Sequence, residues 1–217
     1  MININEIFQS INGEITAWHQ GSLTTFIRFA GCNLSCTYCD AASASEINSK
    51  LLPYQIVDIV EKTGCKQVTI TGGEPTLQYD ELQELLYGLV LALQCKITVE
   101  TNGTHPIPEW MEDHISWIVD YKFDYSHKMI YGNFERCIDN NWLKFVIDKE
   151  QDLPMLEYLF STHPILHKAN VAIGTTGNVP HAQIVDFLID RKLFNCVLNY
   201  QIHKKIWPIR KEGKKIL

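Results

Sequence analysis

No stretch of this 217-residue chain approaches the ~20 consecutive apolar residues needed to span a bilayer. The longest apolar run, near Leu85 to Leu93, is interrupted by Gly88. The N-terminus, Met-Ile-Asn-Ile-Asn-Glu, has neither the basic start nor the apolar run of a signal peptide, so a cytoplasmic protein with no membrane partner is expected. Positive charge is in short supply: 19 Lys and Arg stand against 25 Asp and Glu, for a net charge of −6. That balance argues against a protein that coats nucleic acid through phosphate contacts. It leaves room for a small anionic ligand held by one or two arginines. Also missing are an internal repeat, a low-complexity tract and a Pro-, Gly- or Ser-rich linker, so a single domain over residues 1–217 is expected.

The chain is nonetheless 46% hydrophobic, which is too apolar for a disordered protein. Segments of strand and helix character alternate along it. Leu23 to Phe29, Gln67 to Thr71, Lys96 to Glu100, Trp117 to Tyr121, Leu143 to Ile147, Val171 to Ile173 and Cys196 to Tyr200 read as strands. Pro53 to Lys62, Asp80 to Leu93, Leu153 to Phe160 and His181 to Arg191 read as helices, the first opened by a proline and stopped by Gly64. Strand–helix alternation with short connections predicts a parallel sheet with crossover helices. A complete eight-unit barrel takes about 250 residues. The expected fold is therefore α/β, a partial (incomplete) parallel β/α barrel. Ligands in such folds bind at the C-terminal strand ends. Thr71-Gly72-Gly73, Glu100-Thr101-Asn102 and Asp120-Tyr121-Lys122 should converge there.

Cysteine use is uneven. Cys65, Cys95, Cys137 and Cys196 stand alone and read as core or surface thiols, while Cys32, Cys36 and Cys39 are crowded into one loop after the first parallel strand. Seven cysteines cannot all pair, and a cytoplasmic chain keeps them mostly reduced. The crowded three have the spacing Cys-x3-Cys-x2-Cys. A structural zinc site would need a fourth ligand at similar spacing. None is near: His19 precedes the loop and Cys65 lies far beyond it. Three thiolates suit a 4Fe–4S cluster that leaves one iron open, where an ordinary ferredoxin run has four. A zinc knot with a distant fourth ligand stays as the alternative.

This loop, with Tyr38 before its third cysteine, resembles the signature of radical S-adenosylmethionine enzymes. Thr71-Gly72-Gly73-Glu74-Pro75 resembles that superfamily's GGEP motif. The resemblance implies that S-adenosylmethionine binds the open iron and that cluster reduction cleaves it to a hydrogen-abstracting 5′-deoxyadenosyl radical. Gly72 and Gly73 would let the backbone approach the cofactor closely. The Glu74 carboxylate or strand-edge carbonyls would receive its ammonium group. Tyr38 would wall the adenine, and Asp120 and Lys122 align loosely with a cofactor-contacting strand end.

Four further segments are similar to one family, the 7-carboxy-7-deazaguanine synthases: Asn5 to Glu14, Phe26 to Leu34, Glu100 to Thr104 and Tyr200 to Trp207. The likeness runs from Glu6 to Trp207. It implies a lyase that converts 6-carboxy-5,6,7,8-tetrahydropterin to 7-carboxy-7-deazaguanine, with magnesium, an external electron donor of flavodoxin or ferredoxin type, and a homodimer. By the same resemblance Asn12, Gly13 and Glu14 would meet the pterin, Arg28 would hold its carboxylate, and Thr71, Glu100, Asn102 and His203 would lie against it. Each has a plainer alternative. Arg28 suits a buried ion pair with Glu14, Glu14 suits the surface, Asn102 suits the turn before Gly103, and His203 suits the core. The chain also departs from the family. Asn12 stands where glutamine is usual, and Ala41 replaces a threonine whose hydroxyl helps hold magnesium, leaving Asp40 as the neighbouring oxygen donor. Asp120 to Ser126 lacks a customary proline, and Val171 to Thr176 lacks a Ser-Pro pair. Two other readings therefore stand beside the first: an activating enzyme that works on a protein partner, and a non-catalytic ligand-binding regulator.

Overall fold

Along Leu23–Phe29, successive side chains fall on opposite faces of the sheet. Ile27 and Phe29 join the buried apolar core, while Phe26 and Arg28 face an internal cavity. The same division recurs in the neighbouring strands. It is why these strands alternate between apolar and polar residues instead of reading as the continuous apolar runs of a sheet buried on both faces. The computed structural model describes residues 1–108, 113–207 and 214–217.

In chain order the strands and helices are β1 (Ile2–Ile11), β2 (Leu23–Phe29), β3 (Ser49–Leu51), α1 (Pro53–Thr63), β4 (Gln67–Gly72), α2 (Tyr79–Leu93), β5 (Lys96–Thr101) and β6 (Ile115–Lys122). They continue with β7 (Trp142–Ile147), α3 (Asp152–Thr162), β8 (Val171–Thr175), α4 (His181–Asp190), β9 (Cys196–Leu198), α5 (Ile202–Ile206) and β10 (Lys214–Lys215). Together the strands form one ten-stranded sheet in the order β10-β1-β2-β4-β5-β6-β7-β8-β9, with β3 also on β1. From β2 to β9 every pairing is parallel. β1 runs antiparallel to β2, and β3 and β10 run antiparallel to β1.

The helices cover the outer face because their apolar residues recur at helical spacing. Leu82, Leu85, Leu86, Leu89 and Leu93 of α2 are buried, as are Ile56 and Val60 of α1. Gly64 ends α1 in the left-handed region at φ 70°, which a residue with a side chain adopts only at a cost. Asp152 accepts the backbone N–H groups of Asp148 and Lys149 at 2.8 and 2.9 Å, fastening the turn that leads into α3.

The sheet curls but does not close: among the described residues β9 and β10 are its unpaired edges. The loop after β1 crosses the gap instead. Gly13 accepts from Ile202 N–H at 3.0 Å, and Ile15 N–H donates to Asn199 Oδ1 at 2.7 Å. The expected partial parallel barrel is borne out. The strand β1 departs from the sequence reading, which saw only a motif there. A register shift between Ile4 and Glu6 breaks the strict two-residue period that announces a strand.

Candidate active site at the strand ends

The C-terminal ends of the parallel strands open into a cavity of about 580 Å³. With one exception, every candidate site residue named from the sequence lines it. The exception is Glu74, which lies fully buried behind the wall. Its Oε1 accepts from Thr76 N–H at 3.0 Å, Thr76 Oγ1 at 2.6 Å and Thr101 Oγ1 at 2.7 Å. Its Oε2 accepts from Asn102 N–H at 2.6 Å.

Glu74 thereby fastens the loop after β4 to the loop after β5. The cysteine loop is fastened to both. Gly73 N–H donates to Phe29 O at 3.1 Å and Glu74 N–H to Gly31 O at 2.8 Å. A Cβ on Gly73 would sit 1.9 Å from Gly31 O, so the close approach this glycine permits is to the chain's own backbone below Cys32. Asn102 Nδ2 donates to Asn33 Oδ1 at 2.9 Å and lies 3.8 Å from Cys32 Sγ. Leu34 N–H points at the same sulfur from 3.4 Å.

Cys32 and Cys39 are exposed and Cys36 is half-buried, all three on the cavity wall. Among the described residues no three His, Cys, Asp or Glu side chains are placed to share one metal ion. A zinc knot requires that convergence. A 4Fe–4S cluster does not, since each thiolate takes its own iron, and N–H groups directed at a sulfur are the usual support of such a cluster. The loop fits the cluster. Magnesium fits less well. Asp40 is largely exposed and lies 3.5 Å from Lys204 Nζ, and Ala41 offers no side-chain oxygen. That donor set does not match the several oxygens the ion takes.

The rest of the cavity lining carries several charges. Arg28 Nε donates to Glu6 Oε1 at 3.0 Å, and its guanidinium lies 5.6 Å from the Phe8 ring centroid. Its ion-pair partner is Glu6, opposite it on β1, and not Glu14 as the sequence suggested. Glu14 instead accepts from Lys144 Nζ, from Gln201 Nε2 and, at 3.2 Å, from Asn199 Nδ2. Burial opposes its charge, but the Lys144 ammonium and these donors bring its pKa down to about 2. Glu100 differs: it accepts from Thr71 Oγ1 at 2.7 Å. Burial and the like charge of Glu14 push its pKa up to about 7, against the pull of Lys144 and Thr71. Lys144 is buried, which disfavours its charge, yet Asp120, Glu14 and Glu100 hold its pKa well above the usual lysine value.

Other predicted residues serve the frame of the cavity. Asn12 Nδ2 reaches Thr69 Oγ1 at 3.4 Å, and Gly13 is packed on His203, whose Nδ1 lies 1.8 Å from where a Gly13 Cβ would be. Tyr38 is half-buried on the cysteine side. Sequence reading missed Lys144, Glu6 and Gln201. The signal for Lys144 was present, as a lone charge inside the apolar run Leu143–Ile147. A second cavity of about 340 Å³ lies elsewhere, lined by Tyr121, Tyr131, Tyr158 and Met155, with no acid, base or thiol.

Comparison with known proteins agrees with this geometry. Residues 26–125 match the Radical SAM superfamily. The 7-carboxy-7-deazaguanine synthase of Clostridium acetobutylicum is 37% identical, covering 96% of this chain and 97% of that protein. The enzyme of the same name from Methanospirillum hungatei is 34% identical over 94% of this chain and 85% of its own length. The crystal structure of QueE from Escherichia coli shares the fold, with a TM-score of 0.63 at 20% identity over 91% of this chain and 92% of that one. The chain belongs to the 7-carboxy-7-deazaguanine synthase family of the radical S-adenosylmethionine superfamily.

Proposed function

We propose that this protein, acting as one catalytic unit over residues 1–217, converts 6-carboxy-5,6,7,8-tetrahydropterin to 7-carboxy-7-deazaguanine. The observation that carries the reading is the meeting, in one cavity of about 580 Å³, of the three-cysteine loop with a wall of Arg28, Glu14 and Glu100. That volume is ample for a bicyclic substrate and favours a small molecule over a protein partner.

When bound, the cluster and S-adenosylmethionine supply the radical that abstracts hydrogen. The chain binds, orients and keeps charges in place. Arg28, braced by Glu6, presents a guanidinium suited to the substrate carboxylate. Glu14, held ionised, accepts from the N–H edge of the pterin. Glu100, which accepts from the Thr71 hydroxyl, lies with it beside the ring, and Asn12, Asn102 and His203 bound the same space. Tyr38, Gly72, Gly73, Asp120 and Lys122 form the cofactor side. Glu74 acts there indirectly through Thr101 and Asn102, so strand-edge carbonyls are left to receive the cofactor ammonium. The donor set at Asp40 and Ala41 supports a reading without magnesium, and no step depends on that ion. An external flavodoxin-like or ferredoxin-like donor and a homodimer are what the family resemblance implies.

The test is anaerobic reconstitution with iron and sulfide, then incubation with dithionite, S-adenosylmethionine and 6-carboxytetrahydropterin. Mass spectrometry follows 7-carboxy-7-deazaguanine and 5′-deoxyadenosine, and both are expected. Cofactor cleavage without deazaguanine would sink the substrate assignment and leave the activating-enzyme or regulator reading. A protein that takes up no cluster would overturn the role of Cys32, Cys36 and Cys39.

A further inference from the structure

A row of alternating charges runs along the cavity wall. Lys122 Nζ lies 2.7 Å from Asp120 Oδ2, Asp120 Oδ1 lies 2.9 Å from Lys144 Nζ, and Lys144 Nζ contacts Glu14 Oε2. Its two ends belong to different parts of the chain. Lys122 is at the end of β6 and lines the same cavity as Cys36. Glu14 comes from the loop after β1, 130 residues before Lys144.

Lys144 is the joint between them. Its side chain is 7% exposed, and it stands opposite Asp120 in the register of β6 and β7. One ammonium thus serves two partly buried carboxylates on separate elements. If either carboxylate moves, the ammonium follows or the other carboxylate is left uncompensated, and an uncompensated buried charge is costly. Glu14 in turn sits between two ties of its own loop to the far edge of the sheet, Gly13 to Ile202 and Ile15 to Asn199. The loop therefore has its sheet-edge anchors on one side and Lys144 on the other.

We propose that Lys144 is a positioning residue that couples the cofactor side of the cavity to the substrate side. A ligand seated against Asp120 and Lys122 orders, through the Lys144 ammonium, the loop that carries Glu14. This rests on the reading of the Asp120–Lys122 strand end as part of the cofactor wall. It does not depend on which substrate the enzyme turns over.

The test uses cluster-loaded protein under anaerobic conditions with S-adenosylmethionine as the sole added ligand. Backbone hydrogen–deuterium exchange is read over residues 12–20 and 118–122. In the wild type the ligand slows exchange in both segments, the remote loop by about fivefold, the low end of ordinary coupling between sites. In Lys144→Met the slowing persists at 118–122 and disappears at 12–20. A lysine of merely structural importance would raise exchange in the loop with and without ligand and leave the ligand-induced slowing intact. That result, or a wild-type loop that ignores the ligand, overturns the proposal. Absence of slowing at 118–122 in the wild type removes the cofactor wall and the proposal with it. Should Lys144→Met fail to fold or to load, Glu14→Gln carries the same test, because it keeps hydrogen-bonding groups but drops the charge that Lys144 grips. A wrong substrate assignment would show in the product assay and would leave these exchange data unchanged.

Discussion

The Asn102 backbone N–H donates to Glu74 Oε2 at 2.6 Å, joining the loops that follow β5 and β4. Asn102 passes the connection on to Asn33 in the cysteine loop. A carboxylate with no solvent exposure and four protein donors is a strut. Hydrogen bonds to a charged group contribute about 1.5–3 kcal/mol each.

Glu74→Ala should therefore cost at least about 3 kcal/mol, since two or more such bonds are lost together. In a chain of this size that lowers the melting temperature by roughly 6–12 °C. Iron and sulfide content after reconstitution should fall as well, because Asn102, which holds Asn33 in the cysteine loop, loses its own anchor. Thermal melts and an iron assay check this. A melt within a degree or two of wild type would end the account of Glu74 as a strut.

Glu100 makes stability fall as pH rises. Its pKa goes from the usual 4.5 to about 7 in the folded protein. The fold favours its neutral form, so its contribution is full below pH 4.5 and is lost as pH passes through about 7. Glu100→Gln keeps the shape and removes the titration. The variant should show a flatter melting temperature than the wild type between pH 4.5 and 7. Parallel curves for the two proteins would show that Glu100 does not titrate in this range.

Glu14 has the opposite sign. Its pKa falls from 4.5 to about 2, so it stabilises the fold above pH 4.5 and the contribution is lost as pH drops toward 2. In Glu14→Gln the acid limb of the stability profile should be shallower. Acid titration followed by circular dichroism separates the two carboxylates, since each acts in its own pH window.

How much of this was legible beforehand depends on the range over which each residue acts. Leu23–Phe29 and Gln67–Gly72 announced themselves as strands because β-branched residues and the two-residue period are local signals. Ile2–Ile11 did not, since its bulge puts Ile4 and Ile7 on the same side and spoils the period. The two-residue strand Lys214–Lys215 is too short to leave a pattern. The cysteine loop was readable because its ligands are neighbours in sequence. The partners of Glu74 at Thr101 and of Glu14 at Lys144 were not, because they are brought together by sheet register and a loop crossing, which no spacing encodes.

Gly13 offers a sharper test of the substrate side. A Cβ there would lie 1.8 Å from His203 Nδ1 and 2.8 Å from its Cβ, so His203 has to move. The backbone at Gly13 is not in the left-handed region, so alanine carries no conformational penalty of its own. Gly13→Ala should therefore leave the cysteine side intact and displace the imidazole. A displacement on the scale of 1 Å at a positioning group costs about 100-fold in kcat/KM. Cluster content and binding of S-adenosylmethionine should stay at wild-type levels. Loss of both together with turnover would mean that the substitution damages the fold and says nothing of His203.

Magnesium dependence turns on Asp40 and Ala41. Asp40 shares its carboxylate with Lys204 at 3.5 Å, and alanine contributes no oxygen beside it. Magnesium dehydrates reluctantly and demands near-octahedral oxygen ligation. A single exposed carboxylate already facing an ammonium holds it poorly. Turnover should therefore be within about twofold with magnesium or with a chelator, a difference of under 1 kcal/mol in barrier. Ala41→Thr adds a hydroxyl next to Asp40, and Lys204→Met removes the competing cation. The double variant should acquire magnesium stimulation and, read without turnover, should bind manganese by electron paramagnetic resonance where the wild type does not. A wild type that binds manganese stoichiometrically and stops when chelated would show that ligands outside this side-chain set hold the ion.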